Sequence, residues 1–346
     1  MLLKYSLITL LIYIKSVSGS IGDWYPEQIQ CKYHCEKDNC DYTTSLMDED
    51  VDVSSYLYKP TFSQVNPSFI DKLLFWDCIS LCDYQCQQLT TDMITSRMTN
   101  TDEKIVQFHG KWPFVRIFYI QEFWSTLFSL GNFIPHFLAY KKLNKFKLQK
   151  RHLLINNYKL VSIMGSLAWF FSTIFHFRDT ILTEKLDYFF AGGTVLSGFY
   201  ACTMRFLLGG DLRKHQKYGS LGFSICLLIF TSHVFRLYID WSYTYNMRFN
   251  ILFGVLQYIM LITIAVRNYY TYKNNRYVSL FKVSFLPVLL VIGTSLSMSF
   301  ELFDIFIPWL QLDSHAIWHG LTILPSFYLY EFFIEDYKAL MGSIKN

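Results

Sequence analysis

From residue 117 onward the chain alternates long apolar runs with short polar connectors. Seven apolar segments are predicted, at 117–140, 158–177, 186–208, 219–239, 250–270, 278–300 and 315–335. Each is close to the ~20 residues that a helix needs to cross a bilayer. Phe, Tyr and Trp are dense within them, as expected of interfacial belts. Before residue 110 the pattern reverses: the sequence is polar, rich in Asp, Tyr, Ser and Thr, with an acidic cluster at Asp48-Glu49-Asp50. So little apolar sequence makes a thin core, and such a region needs other staples.

The first 20 residues read as a secretory signal peptide. Lys4 supplies the positive start, Tyr5 to Ile14 the apolar core, and Ser16-Val17-Ser18 or Ser18-Gly19-Ser20 the small-residue cleavage site. An uncleaved anchor is the alternative, but the core is shorter than a membrane span. The polar region after residue 20 is expected in the secretory lumen. Six of the eight cysteines lie there: Cys31, Cys35, Cys40, Cys78, Cys82 and Cys86. An even number in an oxidising compartment predicts three disulfides, with 15 connectivities open to six cysteines. A zinc finger with His34 is the competing reading; the C-x3-C spacing speaks against it. Short helices are expected around the two cysteine triplets. Cys202 and Cys226 fall in apolar segments and read as packing residues.

Apolar residues make up 52% of the chain and charged residues only 17%, a balance that fits membrane residence. The net charge of +4 comes without a basic stripe outside the connectors, which sets nucleic acid aside. The charge matters for orientation instead. The first connector holds Lys141, Lys142, Lys145, Lys147, Lys150 and Arg151; the third holds Arg213, Lys214 and Lys217; the fifth holds Arg267, Lys273 and Arg276. The alternate connectors are poorer, with Arg178 and Lys185, then Arg248, then none. The positive-inside rule places the basic connectors in the cytosol, the N-terminus in the lumen and the C-terminus in the cytosol. The expected fold is an all-α membrane protein, a seven-transmembrane helix bundle with a small disulfide-rich N-terminal lumenal domain.

That topology brings polar residues to one depth. His315 and His319 are four apart at the start of the last segment, so their imidazoles share a helix face about 6 Å apart. Ser172 and His176 end the second segment and Asp187 opens the third. All five fall in the lumenal layer, where ionisable groups in membrane sequence mark function by default. His176, His315 and His319 make a three-imidazole zinc shell with one open position, which would acidify its water toward about pH 7. Asp187 is then the proton shuttle and Ser172 the oxyanion donor or ligand orienter. Plainer readings exist: Asp187 as a helix cap, Ser172 as a helix-contact residue, the histidine pair as packing. A serine nucleophile at Ser172 is the rival chemistry, and it leaves the histidine pair without a task. His109, His136 and His233 read as internal hydrogen-bonding residues.

The S-x3-H, Asp and H-x3-H pattern resembles the CREST superfamily of seven-helix membrane hydrolases, in which the three histidines bind zinc. Within it the chain is most similar to the Per1-like family of post-GPI-attachment remodelling enzymes. The matching stretches are Trp76-Asp77-Cys78, Cys82 to Cys86, Gln107 to Phe114, Gln121-Glu122, Arg178-Asp179, Thr183-Glu184, Asp187-Tyr188-Phe189, Tyr245-Asn246-Met247 and Asp313 to His319. The resemblance implies a zinc-dependent phospholipase A2 that removes the sn-2 acyl chain from GPI-anchored proteins. A ceramidase-like amidase is the alternative, as is a receptor or escort for GPI-anchored proteins with structural zinc. The implied domains are a signal peptide at 1–20, a cysteine-rich lumenal domain at 21–110, a hydrolase domain at 111–340 and a cytosolic tail at 341–346. The implied residence is the endoplasmic reticulum membrane, with the Golgi as the alternative. Glu122 matches a glutamate that helps hold calcium in alkaline ceramidases, but Gly110-Lys111-Trp112-Pro113 replaces the acidic cluster before it. Calcium is therefore not expected, and Glu122 is expected to pair with Lys111 or Arg116 unless it belongs to a second polar or metal site.

Overall fold

The computed structural model describes residues 20–40, 62, 65–97, 105–146, 153–209 and 212–345. The expected leader (all but Ser20), the acidic cluster Asp48-Glu49-Asp50, and Lys147, Lys150 and Arg151 of the basic connector lie outside the described residues. The described residues form two compact units that divide in sequence between Tyr119 and Ile120.

The first unit contains helices α1 (Pro26–Asn39), α2 (Phe69–Leu73) and α3 (Cys78–Arg97). Pro26 opens α1, where its missing N–H is no loss. Cys31 and Cys35 share one face of α1, and Cys78, Cys82 and Cys86 share one face of α3, because a four-residue step returns to the same side. The disulfides are Cys31–Cys86, Cys35–Cys82 and Cys40–Cys78, with Cα separations of 5.6, 5.6 and 5.7 Å. The order of partners runs backwards along the second helix, so the bridges form a ladder between antiparallel helices. Cys40, Cys78 and Cys82 also lie close enough to suggest a metal group. Their sulfurs are already bound in two of the bridges, and a disulfide sulfur is no thiolate ligand. The helices are longer than the short helices expected, at 14 and 20 residues. Cysteines spaced at successive turns present one line of bridges only if the helix is continuous.

This unit also reaches past the expected boundary at residue 110. Gln88 Nε2 donates to the carbonyls of Pro113 (3.3 Å) and Phe114 (3.1 Å). The Arg116 guanidinium bonds Asp71 at 3.2 Å and lies over the rings of Trp76 (4.4 Å) and Tyr84 (4.5 Å).

The second unit has, among the described residues, seven long helices: α4 (Phe123–Leu143), α5 (Leu153–Phe177), α6 (Ile181–Leu208), α7 (Leu212–Ile239), α8 (Tyr243–Tyr272), α9 (Leu286–Ser299) and α10 (Ser314–Lys345). A π turn at Phe281–Phe285 leads into α9, where Pro287 lacks the N–H that would continue a regular ladder. Four stretches are long and apolar enough to cross a membrane: Leu154–Phe177, Lys217–Ile239, Tyr243–Tyr272 and Phe281–Leu302. The other three helices carry inward polar groups: Ser125, Ser129 and Asn132 on α4, Arg205 on α6, His319 and Asp336 on α10. The helices richest in candidate chemistry are those whose apolar pattern is diluted.

Several helices start earlier than their apolar segments. Thr180 accepts from Thr183 N–H and caps α6; Ser242 accepts from Tyr245 N–H and caps α8. Asp187 therefore lies inside α6 and is not its cap. The core gathers Leu143, Ile155, Tyr158, Ala201, Leu261, Ile264, Phe332 and Phe333, with Tyr158 stacked on Phe333 at 4.1 Å between ring centres. Beside it Arg205 grips Asp336 through Nε (2.5 Å) and Nη2 (2.8 Å), while Asn268 Nδ2 donates to the same carboxylate at 2.7 Å. Gly165 has no room for a side chain, since a Cβ there would collide with the His136 ring.

Candidate metal centre

His176 sits at the last turn of α5 and His315 and His319 on the first turns of α10. Two devices fix where α10 begins. A two-residue hairpin pairs Phe306 with Asp313 and Ile307 with Leu312, and Trp124 Nε1 pins it by donating to the Leu310 carbonyl at 2.8 Å. Asp313 Oδ1 then accepts the Ala316 N–H at 2.9 Å, a cap that leaves the next turn free to aim its histidines inward. The end of α5 is tied to the start of α4 by two backbone bonds, Gln121 N–H to Phe177 O and Glu122 N–H to His176 O, both at 3.0 Å.

The three imidazoles converge. One ring nitrogen from each lies within 4.8 Å of the others, and His176 Nε2 is 3.4 Å from His315 Nε2. Each Nδ1 faces the other way and has its own partner. His176 Nδ1 meets Glu122 Oε2 at 2.8 Å, His315 Nδ1 meets Glu301 Oε2 at 2.7 Å, and His319 Nδ1 meets Ser129 Oγ at 3.0 Å. An ionised carboxylate only accepts, so Glu122 and Glu301 hold the protons of His176 and His315 on Nδ1 and leave each Nε2 a lone pair. Lone pairs 3.4 Å apart repel unless a shared proton or a metal cation sits between them. Tetrahedral zinc with bonds of 2.0–2.1 Å spaces its nitrogens by roughly 3.3 Å, so this donor set fits that ion. Calcium prefers six to eight oxygens, and Glu122 Oε2 is taken by an imidazole.

His176 and His319 are buried, while the His315 side chain is 32% exposed. The centre therefore opens on the His315 side. Tyr243 O–H donates to Glu301 Oε1 at 3.3 Å and ties the head of α8 to it. Ser172 lies one turn before His176, buried, with its hydroxyl 3.1 Å from that of Ser129. Asp187 is half-buried in the second turn of α6, beside Tyr188 together with Glu184 and Asp179. The Tyr188 ring is 6.5 Å from that of Phe175, the neighbour of His176. Glu122 is bonded to His176 within the histidine cluster, and Arg116 to Asp71 within the first unit.

Sequence reasoning passed over Glu301, Ser129 and Tyr243. Glu301 gave a signal, as an acidic residue closing a long apolar run. Ser129 gave none, for a serine on a membrane-type helix is ordinary. His136 bonds Tyr330 and His233 bonds Tyr245, as expected of internal histidines.

A profile of the Per1-like family matches residues 68–337. The chain belongs to the Per1-like family. This Per1-like chain is 44% identical to Protein PER1 of Saccharomyces cerevisiae, over 95% of its own length and 96% of that protein's. It is 32% identical to the GPI-specific phospholipase A2-like PGAP3 of Danio rerio, covering 95% and 94% of the two chains. With the protein of the same description from Homo sapiens it shares 31% identity, covering 92% and 89%. The Per1-like match takes in both the disulfide ladder from Cys78 onward and the three converging histidines.

Proposed function

We propose that this Per1-like protein is a zinc-dependent phospholipase A2 of GPI-anchor remodelling, cleaving the sn-2 acyl ester of GPI-anchored proteins in the endoplasmic reticulum membrane. The observation that carries the reading is the convergence of three imidazoles whose outward nitrogens are all engaged, leaving inward lone pairs. Relatives described as GPI-specific phospholipase A2-like supply the substrate class.

His176, His315 and His319 would hold the ion. Bound there, zinc would supply Lewis acidity toward an acyl carbonyl and make a nearby water more acidic. The rest falls to the chain itself. Glu122 and Glu301 fix two ring orientations through Nδ1. The His319 Nδ1 proton rests on Ser129 Oγ, so the Ser129 proton is directed to Ser172 Oγ, and the Ser172 proton is left for a substrate oxygen. Asp187 takes a proton from the attacking water at its carboxylate and returns it to the departing sn-2 oxygen of the glycerol, which leaves as a hydroxyl. All seven long helices cross the membrane in this reading, with the disulfide unit and the His315 opening in the lumen and the C-terminus in the cytosol.

The deciding experiment is lipid analysis of a GPI-anchored reporter from cells with and without the protein. Diacyl GPI accumulating in its absence and lyso-GPI appearing in its presence is the expected result. An unchanged acyl composition would overturn the proposal.

A further inference from the structure

The buried Ser125 hydroxyl has no assigned partner at the edge of this centre. Serines and threonines inside helices rest their proton on the carbonyl one turn back, as Ser166, Thr173 and Thr194 do here. Ser125 stands in the first turn of α4, and the residue four before it, Gln121, precedes the helix. Its Oγ is fully enclosed and bonded to nothing among the described residues, and the residue is 1% exposed.

Its position on α4 is set by residues whose contacts are known. Glu122 reaches His176, Ser129 reaches His319 and Ser172, and Asn132 Nδ2 donates to the His319 carbonyl at 2.6 Å. At about 100° per residue these three and Ser125 fall within roughly 80° of arc. Ser125 is thus on the stripe that faces the histidines, between the residue that fixes His176 and the one that fixes His319.

We infer that Ser125 Oγ donates a hydrogen bond to the carbonyl oxygen of the scissile acyl ester, as a second oxyanion donor beside Ser172. A donor enclosed without an acceptor is costly in an empty site and is satisfied when a substrate oxygen arrives. Charge on that oxygen grows in the transition state, so the bond strengthens as the reaction proceeds. The inference rests on the acyl-ester hydrolase reading given above.

The test uses the full-length protein in lipid nanodiscs with three probes: phosphatidylinositol carrying an sn-2 ester, its sn-2 ether analogue and its sn-2 phosphonate analogue. Ser125→Ala should lower kcat on the ester by roughly 10²-fold and weaken the phosphonate by a similar factor. Bound zinc and the affinity for the ether, which has no carbonyl at sn-2, should stay unchanged. Ser125→Thr, which keeps the hydroxyl, should retain most activity. Ser125→Ala with kcat and phosphonate affinity within twofold of wild type would overturn the inference. Equal losses on ether and phosphonate, or loss of zinc in step with activity, would overturn it too, since each marks a packing role. Wild-type protein that leaves the ester intact would sink the parent reading instead, which keeps the two failures apart.

Discussion

The two units hold their helices together by opposite means. In the first, the buried cluster between α1 and α3 consists of Cys31, Cys35, Cys82 and Cys86 with Val65, so that cluster is largely made of the cross-links themselves. In the second, seventeen buried apolar residues form one cluster, and polar links such as Arg205–Asp336 and Glu122–His176 run through the interior. The difference follows from composition. A polar stretch with little apolar area cannot meet the entropy cost of ordering by burial, and disulfides lower that cost by restricting the unfolded chain. A membrane-type bundle has apolar surface to spare, and there polar contacts choose which helix faces meet. The metal-binding geometry sits in the unit whose architecture rests on packing.

The sharpest way to break this comparison is at the histidines. His176→Ala should remove most bound zinc and all measurable deacylation while the six bridged cysteines stay blocked, as read by metal analysis and by alkylation without reductant. Metal retained at wild-type stoichiometry would mean the ion, if any, is held elsewhere. Next in size, replacing Cys35 and Cys82 together by Ser should cost the first unit about 2–5 kcal/mol. Limited proteolysis should then cut within residues 20–119 while zinc content remains; zinc lost in parallel would show that the units are not energetically separate.

Smaller effects sharpen the picture. Glu301→Ala frees His315 Nδ1 and should weaken zinc roughly 10- to 100-fold in chelator competition, with Tyr243→Phe affecting it less. An unchanged affinity would show that packing alone orients His315. The smallest effect concerns charge in the first unit. Burial pushes the Asp83 carboxyl up, but the hydrogen bond from His109 and the charge of Lys32 outweigh it and hold the group at about 2. The Asp83 bond in turn raises His109 against its own burial. Asp83 therefore stabilises above its unfolded value of ~3.9, a contribution lost as pH falls toward 2. His109 stabilises fully below ~6.5 and loses this as pH rises through its higher folded value. The His109 side chain is 54% exposed, so solvent screening limits the effect to about 1 kcal/mol or less. His109→Gln should flatten the alkaline limb of protease resistance above ~6.5 and leave the acid limb displaced upward; an alkaline limb identical to wild type would remove His109 from the account.

Much of the fold was legible because its signals are local. Apolar runs near bilayer length marked Leu154–Phe177, Lys217–Ile239 and Phe281–Leu302 to within a few residues. Helix starts were missed where Thr180 and Ser242 begin hydrogen bonding before the apolar pattern does. Four-residue spacing announced His315 and His319, and a topology argument brought His176 to the same depth. Glu122 was noticed but its bond to His176 was not, because hydrogen bonds between helices leave no spacing in the sequence.

The sequence by itself determined the membrane-type helices and the oxidised N-terminal region through composition and periodicity along one element, while the family and the three histidines were legible from motifs and their order in the chain. Tertiary structure alone decided the rest. Antiparallel packing of α1 on α3 selected one disulfide pattern from 15. The meeting of α4, α5, α10 and the turn after α9 gave each imidazole a different outward partner, Glu122, Ser129 or Glu301, drawn from residues 54, 190 and 14 positions away. Contacts of that kind depend on how helices pack in space, and a linear pattern of polar and apolar residues carries no term for it.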